Sequence, residues 1–144
     1  MREESATPDL MELSRRAFAA VNRGDLDALM SFYAPEALLD VTRELGSELQ
    51  GWPAIRGFLE DWMGAYDEVQ WTPEERLDLG NGVLFAIVHQ KGRPAGVSGF
   101  VQQSGGWCFV WVDGLIACHT IYPEGDIDEA RAAAESLAQE RADG

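Results

Sequence analysis

Gly106–Tyr122, GWCFVWVDGLIACHTIY, constrains the fold of this chain more than any other stretch. Two apolar runs meet at Asp113-Gly114, a dipeptide suited to a two-residue type I′ hairpin because both central residues need φ > 0. That turn predicts a register in which Val112 faces Leu115, Phe109 faces Cys118 and Cys108 faces His119. One face then carries Cys108, Val110, Val112, Leu115, Ala117, His119 and Ile121. The other carries Trp107, Phe109, Trp111, Ile116, Cys118, Thr120 and Tyr122. Neither suits water, so the hairpin must be covered on both sides and sit in the middle of the protein.

At 144 residues and 46% hydrophobic, the chain has the size and composition of one globular domain. A net charge of −14 repels phosphate backbones and anionic headgroups, so neither nucleic acid nor a membrane surface is an expected partner. The one lysine, Lys91, falls in the loop-like Lys91-Gly92-Arg93-Pro94, a poor setting for Schiff-base chemistry. In the register above Cys108 and Cys118 point to opposite faces and cannot bridge within one chain. Free, buried thiols fit a reducing compartment, and MREESATPDL lacks the apolar core of a signal peptide. The longest apolar runs, Val83–Val88 and Trp107–Val112, fall far short of a membrane span. A soluble, cytoplasmic protein is expected.

Residues 1–6 read as a tail. Thr7-Pro8 supplies an N-cap and a first-turn proline for a helix with Leu10, Leu13, Ala17 and Val21 at helical spacing. Gly24 ends it, and Asp25 caps a short second helix stopped by Pro35. Ala37–Thr42 is β-compatible, and Glu44–Gly51 reads as a loop. Trp52-Pro53 opens a third helix whose stripe includes Ile55, Phe58, Leu59, Trp62 and Tyr66. From Glu68 the period becomes two. Glu68–Leu79 is a strand in which Pro73 demands an edge or a bulge. Val83–Gln90 and Val97–Gln103 follow, and Ser104-Gly105-Gly106 predicts a turn into the hairpin. Asp126 and Glu129 form a capping box for a last helix over 126–141, with Ile127, Ala130, Ala134 and Leu137 as its apolar seam. The order α-α-β-α, four antiparallel strands and a terminal helix indicates an α+β class.

Four segments in this order resemble the nuclear-transport-factor-2 (NTF2-like) superfamily: Val21–Asp27, Phe32–Ala37, Gly51–Phe58 and Val112–Ile116. The chain is similar to the SnoaL-like members over roughly residues 9–123. The resemblance implies a cone-shaped fold, a curved antiparallel sheet packed on the N-terminal helices, as a single domain over 1–144. Such folds host polyketide cyclases, ketosteroid isomerases, epoxide hydrolases, dehydratases and ligand binders, so the fold does not select an activity. The isomerase pattern would place a catalytic base at Val41, an oxyanion-hole tyrosine at Ala17 and a carboxylic acid near Ser98. All three depart from it, and Asp40, one position early, would use the other face of its strand. SnoaL-like cyclases use an Asp or His facing the cavity, which this sequence can supply.

His119 and Asp40 are the candidate acid–base residues. An imidazole is suited to enolisation or aldol-type closure, and a buried Asp beside it would orient the ring. Both also have ordinary structural readings, a satisfied core histidine and a cap or an ion pair to Arg43 or Arg56. Phe32, Trp62, Tyr66, His89 and Trp111 are the candidate ligand-binding residues, Trp62 serving equally as core. Two Cys and two His without ligand spacing give no metal site, and no cofactor motif is present. The expected partner is a small apolar organic molecule, bound by a possible cyclase, isomerase or hydratase or by a non-catalytic binding or accessory domain. The second face of the hairpin is expected to pair with another subunit as a homodimer. With the Cys108–His119–Ile121 face inside, the histidine is available for chemistry. With the Trp107–Trp111–Tyr122 face inside, the site is an aromatic pocket and His119 is interface. The first is the reading taken.

Overall fold

The structure, a computed structural model, describes residues 9–143. The tail over 1–6 and the Thr7-Pro8 helix start lie outside the described residues. Helix α1 (Leu10–Asn22) is capped by Asp9, whose carboxylate accepts from the backbone N–H of Met11 and Glu12. Its buried stripe is Leu10, Ser14, Ala17, Phe18, Ala20 and Val21. Asp25 caps α2 (Leu26–Met30) as expected, accepting from Ala28 N–H.

The short helix ends before Pro35, and Tyr33–Asp40 is already strand β1. Pro35 sits where the pairing register of β1 shifts, between Tyr33 and Leu38, so its missing N–H costs no regular ladder bond. The expected loop at 44–51 is instead a one-turn helix α3 (Thr42–Leu45), a left-handed Gly46 and strand β2 (Glu48–Gln50). Helix α4 (Trp52–Gly64) follows, with the proline in its first turn.

The meander is β3 (Tyr66–Gly80), β4 (Val83–Pro94), β5 (Val101–Val112) and β6 (Leu115–Pro123). The sheet order is β2-β1-β6-β5-β4-β3. Strand β3 is thus an edge, and its register shifts between Pro73 and Glu75, meeting both demands of the proline. One pair, β1 with β6, is parallel, so the sheet is mixed rather than wholly antiparallel. Ser104–Gly106 is not a turn: β5 runs straight through it. The glycines serve close approach, since a Cβ on Gly106 would lie 2.7 Å from that of Ala130 in the last helix.

The hairpin turn is as predicted, with Asp113 at φ 54° and Gly114 at φ 81°. Val112 pairs with Leu115, and Trp111 with Ile116. Val110 then pairs with Cys118, leaving Ala117 unopposed. This bulge reverses the predicted parity of everything beyond it: Phe109 faces His119, and Cys108 faces Thr120. His119 therefore joins the tryptophan face, and neither of the two assignments left open above describes the molecule. Cys108 and Cys118 both turn to the outer face, and both are free.

The inner face packs on α1, α2 and α4 in one core that includes Phe18, Leu39, Ile55, Trp71, Trp107 and Phe109. The outer face of the hairpin, for which a partner subunit is expected, has cover within the chain itself. Helix α5 (Ile127–Asp143) covers much of it, burying Ala130, Ala134 and Ala138 against Val83, Phe85, Cys108 and Tyr122. Alanines let the helix backbone lie close to the sheet, so a narrow seam suffices. Around it, Arg131 stacks over Phe85 and pairs with Glu75 at 2.9 Å, while Arg43 bonds Glu129. No helix among the described residues is long and apolar enough to cross a membrane.

Candidate functional site

The core leaves a cavity of about 130 Å³ between the inner face of the sheet, α3 and α4. Its floor is aromatic: Tyr33 from β1, Trp71 from β3 and Trp107 from β5, with Trp62 of α4 opposite. Leu39, Val41, Leu45, Phe58, Leu59 and Ile121 complete the apolar wall. Four polar side chains reach it: His119, Gln90, Gln103 and, on α3, Glu44. Trp71 and Trp107 meet edge to face at 4.7 Å between centroids, and Trp107 lies 5.0 Å from the His119 ring.

His119 is 2% exposed and stacks on Phe109 at 4.2 Å between centroids. Its Nδ1 lies 3.0 Å from the Tyr33 hydroxyl, and its Nε2 has no partner. The tautomer follows from a count. The buried Tyr33 hydroxyl has one partner, so its O–H donates to Nδ1 and the imidazole proton sits on Nε2. The other tautomer would strand both the phenolic O–H and the Nε2 lone pair. Burial lowers the His119 pKa from 6.5 to about 3, and burial also raises that of the Tyr33 hydroxyl. The imidazole is therefore neutral at ordinary pH and presents an N–H donor. Burial similarly raises the Glu44 carboxyl at the solvent-exposed rim.

Asp40 does not join His119. Leu39 is the residue of β1 opposite His119, and Asp40, paired with Thr120, points to the outer face. There its Oδ1 accepts from the backbone N–H of Thr42 at 3.0 Å, opening α3. Val41, where the isomerase pattern would put its base, is buried and lines the cavity. Ala17 lies in the core and Ser98 in the exposed 95–100 loop.

Of the five candidate ligand residues, only Trp62 lines the cavity. Tyr66 lies beyond Trp62, in an adjoining hollow of about 150 Å³ that shares Trp62, Gln90 and Gln103 with it. Phe32 packs on the margin of the core, and Trp111 is buried in it, both off the cavity. His89 points away: its ring bonds Gln102 at 2.9 Å and Ser104 at 3.3 Å, while the next residue, Gln90, faces in. Strand alternation separates those two neighbours. Reading the residues missed Tyr33, which lay in a predicted helix, and Trp107, which the unbulged register put on the other face of the hairpin from His119. It also missed Trp71, Gln90, Gln103 and Glu44. Trp71, lying between the exposed neighbours Gln70 and Thr72, carried an alternation signal that would have turned it inward.

A larger groove of about 680 Å³ runs past Asn22–Gly24, Glu60, Tyr66 and Phe100. Among the described residues, no buried, unpartnered polar side chain lines it, whereas Trp71, Trp107 and His119 in the lining of the smaller cavity each carry one. Among the described residues, no group of three or more His, Cys, Asp or Glu is placed to hold a metal ion.

Three solved structures share this fold at low identity. An NTF2-like protein of unknown function from Exiguobacterium is 18% identical with a TM-score of 0.66, over 77% of this chain and 97% of its own. RV0760c from Mycobacterium tuberculosis, crystallised with estradiol-17beta-hemisuccinate, is 18% identical with a TM-score of 0.69, over 81% and 95%. TerC, co-crystallised with polyporic acid, is 12% identical with a TM-score of 0.67, over 83% and 94%. No curated protein sequence matches the chain significantly. The chain has an NTF2-like fold; the profile of the SnoaL-like domain matches it over residues 14–119, and the chain belongs to that family.

Proposed function

We propose that the chain binds a small, mostly apolar organic molecule in the Tyr33–Trp107–His119 cavity. One observation carries this: a hollow walled mainly by aromatic and aliphatic side chains has among its lining residues a buried imidazole, bonded to the Tyr33 hydroxyl and with its Nε2 unpartnered among the described residues. A few placed polar groups in an apolar concavity are the usual form of a small-molecule site. The volume, about 130 Å³, is near that of a dry cavity that holds benzene, so the inner chamber accepts one ring with small substituents. Two of the structural neighbours were crystallised with small organic molecules, which supports the same reading.

Cofactor-independent cyclase, isomerase or hydratase chemistry is the catalytic extension. His119 would then polarise a carbonyl as a neutral donor, because its low pKa makes it a weak base. Asp40, on the far face, takes no part in that version. The alternative is a binding or accessory domain without turnover, in which the Tyr33–His119 pair serves recognition alone. A homodimer through the sheet rests on what α5 leaves open: Val112, 45% exposed, and the half-buried neighbours Leu38 and Cys118.

The test is to fill the cavity. Val41→Phe should abolish binding of single-ring aromatics in thermal-shift and tryptophan-fluorescence titrations while leaving the far-ultraviolet dichroism unchanged. Undiminished binding by a folded Val41→Phe protein would refute this site. Separately, His119→Leu should lose any turnover found with a bound ligand, and unchanged turnover would leave the binding-only reading.

A further inference from the structure

Among the elements that line the cavity, α3 alone buries none of its residues. It is a single turn between Val41 and a left-handed Gly46, and Leu45, part of the cavity wall, is 61% exposed. Glu44 lines the cavity from the same turn. The polar bonds of this segment close on itself. Thr42 N–H donates to Asp40 at 3.0 Å, and Val41 N–H and Thr42 Oγ1 donate to the Ser47 carbonyl. Leu45 and Gly46 N–H donate to the Val41 and Thr42 carbonyls at 2.7 and 2.8 Å. Among the described residues Arg43 is the exception. Its guanidinium stands 4.5 Å from the Tyr122 ring centroid, pairs with Asp126 at 3.5 Å and bonds Glu129, at the head of α5. One turn of helix thus faces the inner cavity with Glu44 and Leu45 and is fastened to the outer face by one side chain.

We propose that α3 is a movable wall of the inner cavity and that Arg43 is the latch that holds it shut. A segment without buried apolar contacts opens locally at a small cost in free energy, even within a stable fold. The other walls are held by the fold itself. Gln90 and Gln103 are paired across β4 and β5, and Trp62 stands on α4, whose Ile55 and Leu59 are buried. Arg43 and Glu129 are exposed, and exposed ion pairs are weak and screened by salt, which suits a latch better than a strut. Its release leaves α5 in place, because Arg131 pairs with Glu75 and Asn81 bonds both the Ala138 carbonyl and the Arg141 side chain. As a route for a ligand this opening rests on the binding reading above; as a motion of the chain it does not.

The experiment compares the full chain with Arg43→Met and Arg43→Lys by amide hydrogen exchange and by fluorine NMR exchange of fluorobenzene. In Arg43→Met the Leu45 and Gly46 amides should exchange about twofold to fivefold faster, the effect of removing a modest exposed ion-pair network. The Trp111 and Ile116 amides, bonded to the Gly82 and Phe32 carbonyls, are internal controls and should keep their rates. Fluorobenzene should enter and leave faster by the same factor with its Kd nearly unchanged, because a latch alters the barrier and not the bound state. Arg43→Lys should restore most of both rates, and added salt should speed the unsubstituted chain but not Arg43→Met. Unchanged exchange at Leu45 and Gly46 would overturn the proposal. So would faster exit of fluorobenzene with unchanged entry, the mark of a fixed wall that has lost a contact. If fluorobenzene does not bind the unsubstituted chain, the binding reading falls with the route it would use, while faster Leu45 and Gly46 exchange would still uphold the moving wall.

Discussion

The two faces of the sheet are built from the same strands and the same alternation, yet they are packed on opposite principles. On the inner face Trp71, Trp107, Phe109 and Trp111 stand as large rings that cannot tile perfectly against α1 and α4. The result is a cavity and a row of N–H groups without acceptors. On the outer face Ala130, Ala134 and Ala138 lie on Val83, Phe85 and Gly106, and no buried polar side-chain atom lacks a partner there among the described residues. Large residues leave room and unmet chemistry, while small ones close the gap and leave none.

Substitution separates the two roles. Trp107→Ala, on the inner face, should cost about 3–5 kcal/mol in urea unfolding, the range for removing a large buried ring. A loss under about 1 kcal/mol would mean the cavity simply widens there, and that the ring serves the ligand more than the core. The next largest effect is pH-dependent and also internal. Burial pushes the folded His119 pKa down from 6.5 to about 3, so the stability set by its neutral form is whole above about 6.5 and is lost as pH falls towards 3. The loss should approach 1.4 kcal/mol per pH unit from this group. His119→Leu should flatten that part of the profile, and an unchanged slope would mean that the ring is hydrated in solution.

Outer-face effects should be smaller and purely steric. Gly106→Ala puts a methyl 2.7 Å from Ala130 Cβ, so α5 must shift, at about 1–3 kcal/mol by thermal unfolding, with ligand affinity unchanged. Altered affinity would show that the two faces are coupled through β5. Asp40→Ala should be the mildest, about 1 kcal/mol or less for the lost bond to Thr42 N–H. Binding and any turnover should persist, and their loss would return Asp40 to the site despite its register.

The hairpin shows where reading the chain succeeds and where it stops. Asp113-Gly114 makes its turn because both residues must hold positive φ, a local requirement that the dipeptide announces. The face assignments made from that turn fail beyond the first two pairs, since Ala117 is bulged and every later side chain changes sides. Nothing in Leu115-Ile116-Ala117-Cys118 marks the extra residue; the choice depends on which set fits under Phe18 and over Tyr33. Site residues suffered the same way. Trp62 was found because a helical stripe must face the sheet, whereas Trp107 and His119 were assigned to different faces and meet only after the bulge.

The two N-terminal helices, the helix opened by Trp52-Pro53, the switch to strand period, Pro73 at an edge and the capping Asp25 were set by local chemistry, and the sequence alone determined them. Tertiary packing decided the rest. It set the parallel pairing of β1 with β6, the seating of the alanine helix on the outer face, and the company His119 keeps. Those depend on long-range fit, in which a side chain's surroundings come from segments distant in sequence, and alternation along one strand carries no record of them.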